Sequence, residues 1–287
     1  MRNFFITIDS TAAVTDEMLA HTGVSTIRFD VKAGNFSCPD GILSYENAKE
    51  LMHRALTEGY AINAPSAARY EEFFDDLAEK NRNIIHISCG AGFSDAYNNA
   101  VKASRNTMVK FKRVSIYVVD SHSPCAGQAL LMDRALAMCE NNASAEEAFV
   151  ELSEGAVRLE QYAVSTAAHG IFVLTGVDNA GNGYNIRRYT SFNAACRTIA
   201  DAYCQNADGA PLYIFGSTEI QNMTKAVARL RKSGCTDIRI SSMSIAGCLK
   251  AGPEAICVAF FGKPRKSQKK SFYRPGKDSD FFTPDEE

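Results

Sequence analysis

The sequence contains no tryptophan, and it has no long apolar runs. No stretch of its 287 residues approaches the roughly 20 consecutive apolar residues that a membrane-spanning helix needs. The amino terminus lacks the basic segment and the following apolar stretch of a signal peptide. We therefore expect a cytoplasmic protein without stable insertion into a membrane.

Motifs for metals and nucleotides are missing as well. The chain has no C-x-x-C pair, and its five histidines show no metal-ligand spacing, so we expect neither a metal nor another cofactor. It has no G-x-x-x-x-G-K-[ST] loop, and Gly90-x-Gly92 lacks the third glycine of a dinucleotide fingerprint. These absences disfavour a kinase that acts alone. The formal net charge of −2 gives no bias toward nucleic acid.

Nine cysteines are present, scattered through apolar or helical stretches. In a long chain without a secretory signal, such cysteines indicate reduced thiols rather than a disulfide framework. We interpret them as small hydrophobic side chains.

Alternating strand and helix patterns indicate the fold class in the first half of the chain. The strand candidates are Phe4–Ile8, Ile84–Ser88 and Val114–Val119, and an amphipathic helix is predicted over Ala67–Glu79. This alternation predicts an α/β protein whose first domain has a mostly parallel sheet with flanking helices.

The second half restarts the same alternation after a helical stretch from about Gly127 through Gln161. We predict an N-terminal α/β domain over residues 1–161, a second α/β domain over residues 162–262 and a mobile tail over residues 263–287. The basic first half of the tail could dock on an acidic partner, but a solvated terminus is the commoner explanation. The elements predicted in the second domain are strands at Gly170–Val177, Tyr184–Tyr189, Pro211–Phe215, Asp237–Ser241 and Ala255–Phe261, and helices at Phe192–Asn206 and Glu219–Ser233.

Small polar residues follow all three predicted strands of the first domain. They are Asp9-Ser10-Thr11, the stretch Ser88–Ser94, and Asp120-Ser121. In open α/β sheets, ligands bind at the carboxyl ends of the strands, where loops bring hydroxyls and backbone N–H groups together. The pattern predicts a site for a polar head group, with Ser10 and Ser121 among its candidate residues.

Ser94 precedes a predicted helix and is a candidate N-cap. The N–H groups and positive dipole end of a helix N-terminus suit a carboxylate or a phosphate. Ser66, which precedes the helix predicted from Ala67, has the same position. From the residues alone, the alternative is that each serine only caps its own helix.

Four motifs, in order, resemble those of the DegV family. ITIDSTA at residues 6–12 resembles the opening strand and D-S-T-A loop, and NAPS at residues 63–66 resembles the T-S-Q-P-S segment. ISCGAGFSDAY at residues 87–97 is similar to I-S-x-S-S-x-L-S-G-T-Y, and VVDS at residues 118–121 to V-I-D-S. Near the carboxyl end, GPEAICVAF at residues 252–260 is similar to the G-P-G-A-x-G-V-A-F strand.

The resemblance implies a protein that binds a fatty acid and in some cases presents it to a separate fatty acid kinase. It implies an acyl chain in an apolar tunnel between the domains. It also implies a carboxylate held by hydroxyls of the T-S-Q-P and L-S-G segments. Ser94 falls on the L-S-G serine, with Gly92 and Phe93 beside it. The family's threonine and serine fall on Ile62 and Asn63, whose amide can still donate a hydrogen bond.

Lys250 is the residue nearest to the position of the family's histidine, which has no counterpart, and the family's L-x-x-G-G-R-I segment is not found. Lys250 can pair with a carboxylate or a phosphate, and a solvated surface lysine is the alternative.

Two other classes of function stay open. An enzyme would need a nucleophile and a base, for which the candidates are Cys89 or Ser94 with His86, His122 or His169. An interaction or regulatory protein could keep the fold but lose or change the lipid site, as the exchange at Ile62 suggests. We favour a lipid-binding protein that is not a catalyst in its own right.

Overall fold

The computed structural model describes residues 3–12, 19–21, 23–41, 45–178, 182–216, 220–252 and 254–263. All of the predicted tail except Lys263 lies outside these residues. Its strands are β1 (Phe4–Asp9), β2 (Val24–Ile27), β3 (Asp30–Ala33), β4 (Phe36–Pro39), β5 (Tyr60–Asn63), β6 (Asn83–Ser88), β7 (Ile116–Asp120), β8 (Leu159–Thr166), β9 (Phe172–Val177), β10 (Gly183–Tyr189), β11 (Leu212–Gly216), β12 (Ile238–Ser242) and β13 (Ile256–Phe261). Its α-helices are α1 (Tyr45–Glu58), α2 (Ala67–Ala78), α3 (Ala96–Lys110), α4 (Ala126–Glu140), α5 (Ala145–Ala156), α6 (Phe192–Asn206), α7 (Ile220–Lys232) and α8 (Ile245–Ala251). Short 3-10 turns occupy Ser10–Ala12 and Ala168–Gly170.

The first sheet has the order β2-β1-β6-β7, and all its strand pairs are parallel. Every residue of β1 is buried, which is typical of a strand covered by helices on both faces. Ile6 and Ile8 pack with α4 and α5 on one face, and Phe5 packs with α2 and α3 on the other. The predicted α/β class with a parallel sheet is confirmed.

The second sheet has the order β10-β9-β8-β13-β11-β12 and is mixed. Only β11 and β12 pair in parallel, and the other pairs are antiparallel. A small antiparallel sheet, β4-β3-β5, follows β2 in the chain.

The helical prediction through Gln161 is wrong at its end. After α4, Asn142 adopts a positive φ of 60°, and Ser144 and Glu147 form a capping box that starts α5. β8 then begins at Leu159, because it pairs with both β9 and β13. The predicted boundary between residues 161 and 162 therefore falls inside a strand, and the division into domains stays a prediction.

Helix α4 lies between the two sheets. Ten of its fifteen residues are buried, spread around the helix rather than along one stripe, as expected of a helix that is packed on several sides. One apolar cluster joins Ile6 of β1 and Leu131 of α4 with Phe215 of β11 and Phe261 of β13. The two sheets therefore share a core.

Candidate functional site

The carboxyl ends of β1, β6 and β7 lie side by side, as the strand pattern predicts. Ile8 pairs with Ile87, and Ser88 pairs with Asp120. The loops that follow β6 and β7 touch each other, since Gly90 N–H donates to the Ser123 carbonyl at 3.2 Å. A Cβ at Gly90 would lie 2.7 Å from the Ser123 nitrogen, so this close approach requires glycine.

The buried side chain of Asp9, the last residue of β1, forms hydrogen bonds with the end of the neighbouring strand β6. Its fully buried carboxylate accepts hydrogen bonds from the Tyr70 hydroxyl at 2.5 Å, the Ser88 hydroxyl at 3.0 Å and the Cys89 N–H at 2.6 Å. The His86 ring lies beside it, with Nε2 3.4 Å from Oδ1. These three donors compensate the buried negative charge of Asp9. Through the bond to the Cys89 N–H, Asp9 also fixes the start of the loop after β6.

Asp40 makes a second buried anchor, between the loop after β4 and α8. Its carboxylate accepts from the Ser10 hydroxyl at 2.7 Å and from the Ala246 N–H at 2.8 Å. Ser10 Oγ also accepts from the Phe29 N–H at 3.1 Å. Burial raises the pKa of Asp40 above its ordinary value, although the hydrogen bonds from Ala246, Ser10 and Ser244 oppose the rise.

The raised pKa gives a pH prediction for Asp40→Asn. A carboxyl whose pKa is higher in the folded state costs stability when it is ionised in both states, and the cost disappears as the pH falls below the unfolded-state pKa. We therefore expect the unfolding free energy of the unmodified protein, relative to that of Asp40→Asn, to increase as the pH is lowered from about 7 to about 4. Urea denaturation of both proteins at the two pH values measures this difference. A difference that stays constant or moves the other way would contradict the assignment.

A cavity of about 460 Å³ lies between the first sheet's strand-end loops and the second sheet. In the first half of the chain, the cavity is lined by residues of the 3-10 turn after β1, the end of β5, the loop after β6 and the start of α4. In the second half, it is lined by residues of β8, β9, β10, β13 and α8. Apolar groups form most of the wall, and polar side chains, among them Thr11, Ser94 and Gln161, are interspersed with them. Such a mixture is typical of a small-molecule site.

Four of the nine predicted site residues line this cavity: Ile62, Phe93, Ser94 and Lys250. Ser94 is not the N-cap that the sequence predicts, because the helix starts one residue later, with Asp95 at the cap. Its hydroxyl instead accepts from the Ala96 N–H at 3.3 Å. The serine therefore faces the cavity while bonded to the first turn of α3. Thr11 lines the cavity too and donates to Gln128 Oε1 at 2.7 Å.

The structure places the other five predicted residues outside the cavity lining. Ser66 is the N-cap of α2, as predicted, and accepts from the Arg69 N–H at 3.3 Å. Asn63 is exposed at the end of β5, and Gly92 is exposed in the turn after β6. Ser10 is bonded to Asp40, and the Ser121 hydroxyl donates to the Ser123 carbonyl at 2.8 Å. The last two hydroxyls therefore serve internal bonds.

Of the cavity wall formed by the second half of the chain, sequence reasoning named only Lys250. The alternation of β8 points Gln161, Ala163 and Ser165 toward the cavity. Gly247 of α8 also lines it, and a Cβ there would lie 3.6 Å from Cys125 Sγ. The small side chains of Ala163, Ser165 and Gly247 are the feature that could have indicated a cavity. Gly247 is distant from the other two in the sequence, however, and only the fold shows that all three line the same wall.

The catalytic candidates do not form a nucleophile–base pair. Burial raises the pKa of the Cys89 thiol to about 12, which leaves it protonated and inert at neutral pH. His86 Nδ1 is 3.0 Å from Thr7 Oγ1, and His122 Nδ1 is 3.6 Å from Asp120. His169 lies in a turn before β9. Within the described residues, no hydrogen bond links Cys89 or Ser94 to any of these histidines.

The described residues contain no group of three or more histidine, cysteine, aspartate or glutamate side chains arranged to hold a metal ion. None of their helices combines the length and apolar character needed to cross a membrane. All nine cysteines are free thiols.

The fold is that of an α/β protein with a cavity between two sheets that share a core. Residues 3–167, more than half of the chain, match the family model described as "Uncharacterised protein, DegV family". The chain belongs to the DegV family.

Relatives and solved structures agree with this assignment. The chain is 23% identical over 231 residues to a DegV domain-containing protein of Clostridium perfringens, covering 80% of this chain and 73% of the relative. A DegV family protein of Ruminococcus gnavus, solved with vaccenic acid, has a TM-score of 0.79 at 20% identity, covering 90% of this chain and all of that one. The Fatty Acid Kinase (Fak) B3 protein of Streptococcus pneumoniae, loaded with linoleic acid, has a TM-score of 0.79 at 13% identity, covering 90% and 99%. These structural likenesses show the shared fold.

Proposed function

We propose that this protein binds one long-chain fatty acid, with the acyl chain in the cavity between the two sheets and the carboxylate near Ser94. The observation that carries the proposal is the cavity itself, which lies beside Ser94 and is walled mainly by apolar groups. Solved relatives with the same fold hold vaccenic acid and linoleic acid. The protein then acts as a carrier rather than as a catalyst in its own right.

The size of the cavity supports a single long acyl chain. An apolar cavity of roughly 150 Å³ admits benzene, which has six carbon atoms. A volume of about 460 Å³ is three times larger and fits about eighteen carbon atoms on the same scale.

The carboxylate is assigned to the loop after β6 and the first turn of α3. Ser94 has a hydroxyl at the cavity wall, and Thr11 lies on the same wall. Ser94 Oγ accepts from Ala96 N–H, and a hydroxyl that accepts one hydrogen bond can still donate its proton to a ligand oxygen. The positive end of the dipole of α3 favours an anion there.

Ser94→Ala is expected to lower fatty-acid affinity by roughly 1 to 2 kcal/mol, the scale of one hydrogen bond to a charged group. Titration of the delipidated protein with a fluorescent fatty acid measures the change. Ser66→Ala is the matched control, because Ser66 caps α2 and does not line the cavity. That variant should lose about 1 kcal/mol of stability and keep its affinity. Unchanged affinity in a stable Ser94→Ala protein would remove Ser94 from the site.

Mass spectrometry of an organic extract of the denatured recombinant protein tests the proposal as a whole. We expect one long-chain fatty acid per protein molecule. An extract without fatty acid, together with no uptake of added fatty acid by the purified protein, would favour an interaction or regulatory protein that keeps the fold but has changed its site. The exchange to Ile62 on the cavity wall is what motivates that alternative.

Presentation of the ligand to a separate kinase is a further part of the proposal. The Streptococcus pneumoniae relative carries a fatty acid kinase in its name, and the present sequence has no nucleotide-binding loop of its own. We place the protein in the cytoplasm, since nine free thiols fit a reducing compartment.

A further inference from the structure

Lys250 is the one charged residue among the described residues that line the cavity. No aspartate or glutamate of the described chain shares that wall. Lys250 lies in the last turn of α8, beside the cavity residues Ala246, Gly247 and Ala251. A single cation on a wall of neutral groups gives the cavity a net positive charge.

The ammonium group of Lys250 also has no protein partner. Neither a hydrogen bond nor an ion pair joins it to any residue that the structure describes. Some other exposed cations of this protein are held by carboxylates: Lys110 contacts Glu71 and Asp75 at 2.6 Å, and Arg134 contacts Glu151 at 2.6 Å. The charge of Lys250 is therefore available to a molecule in the cavity.

We propose that Lys250 makes the cavity selective for the charge of the ligand head group, so that an acyl anion binds better than a neutral molecule with the same tail. This inference rests on the proposed function and adds a specificity-determining residue to it. A carboxylate in the cavity gains the attraction of an unpaired cation on the wall, whereas an ester or alcohol gains none. Because Lys250 is exposed, salt should weaken this preference.

A structural role for Lys250 makes a different prediction. A lysine in the last turn of a helix interacts favourably with the helix dipole, so its loss would lower stability. It would leave the ratio of affinities for charged and neutral ligands unchanged. That ratio is therefore the readout that separates the two roles.

The experiment compares hexadecanoic acid with its methyl ester as competitors of a fluorescent fatty acid on the delipidated full-length protein. We expect the acid to bind better than the ester, and Lys250→Met to reduce the acid-to-ester ratio by about fivefold, the scale of an exposed ion pair. Lys250→Arg should keep the ratio. Lys102→Met, at an exposed lysine of α3 outside the cavity lining, is the control for net charge. High salt should reduce the ratio in the unmodified protein but not in Lys250→Met.

The outcomes distinguish this inference from the proposed function. Binding of both ligands with a ratio that Lys250→Met leaves unchanged would overturn the role of Lys250 and leave lipid binding intact. Failure of both ligands to bind the unmodified protein would overturn the proposed function and the inference with it. An equal drop of the ratio in Lys102→Met would show a general effect of charge and also overturn the inference.

Discussion

Ala163→Phe is expected to lower the affinity for an eighteen-carbon fatty acid more than 100-fold. Ala163 lies in the middle of β8, and its side chain lines the cavity. A phenyl ring needs roughly 150 Å³, about a third of the 460 Å³ available. Loss of four buried CH₂ groups at roughly 0.8 kcal/mol each already exceeds the roughly 2.8 kcal/mol that a 100-fold change requires.

The matched control is Ala61→Phe. Ala61 also lies in a strand, β5, but it is exposed and outside the cavity lining. Titration with fatty acids of decreasing chain length gives a second readout, because a shorter acid should regain affinity for Ala163→Phe if the acyl chain fills the cavity. Full affinity for the eighteen-carbon acid in a folded Ala163→Phe protein would place the acyl chain elsewhere.

The sequence predicts elements well where one periodic pattern coincides with one packed face. Helix α6 has the predicted bounds, Phe192–Asn206, because its apolar residues recur at helical spacing and pack on a single side. Strand β1 is an unbroken buried run and differs from its prediction by one residue. Strands β2 to β5 have four residues each, and runs of that length carry too little periodicity to be recognised.

The pairing of strands in the second sheet could not be predicted from the sequence patterns. The stretch from Leu159 continues a helical pattern, yet it forms β8 because β9 and β13 supply partners on both sides. The antiparallel pairing within the second sheet has no signal in the individual strands. A strand pattern states which residues alternate, but not which strand lies beside them.

The candidate site was also predicted only in part from the sequence. Motif order located the loop of Phe93 and Ser94, which does line the cavity. A polar residue after a strand, however, can face either a ligand or the protein. Ser10 and Ser121 have the predicted positions at strand ends, but their hydroxyls are bonded to Asp40 and to the Ser123 carbonyl. Only the three-dimensional partners of a hydroxyl separate these cases.

Asp9→Ala is expected to destabilise the protein by about 3 kcal/mol. The substitution leaves three buried donors, the Tyr70 and Ser88 hydroxyls and the Cys89 N–H, without their acceptor. An unsatisfied buried donor costs roughly 1 to 3 kcal/mol, and the relief of burying one charge offsets part of the total. Urea denaturation monitored by circular dichroism measures the change. Asp30→Ala is the control, because its partly exposed pair with Arg69 is worth about 1 kcal/mol or less.

Asp9→Ala should also affect ligand binding, although Asp9 itself does not line the cavity. Its bond to the Cys89 N–H fixes the start of the loop that carries Phe93 and Ser94. Once that bond is lost, the loop must be ordered by the ligand, so affinity should fall even under conditions where the variant is fully folded. Ser88→Ala removes one donor and keeps the bond to Cys89, so it should lose less stability and retain its affinity. Equal losses of affinity in the two variants would mean that Asp9 does not act through the backbone of Cys89.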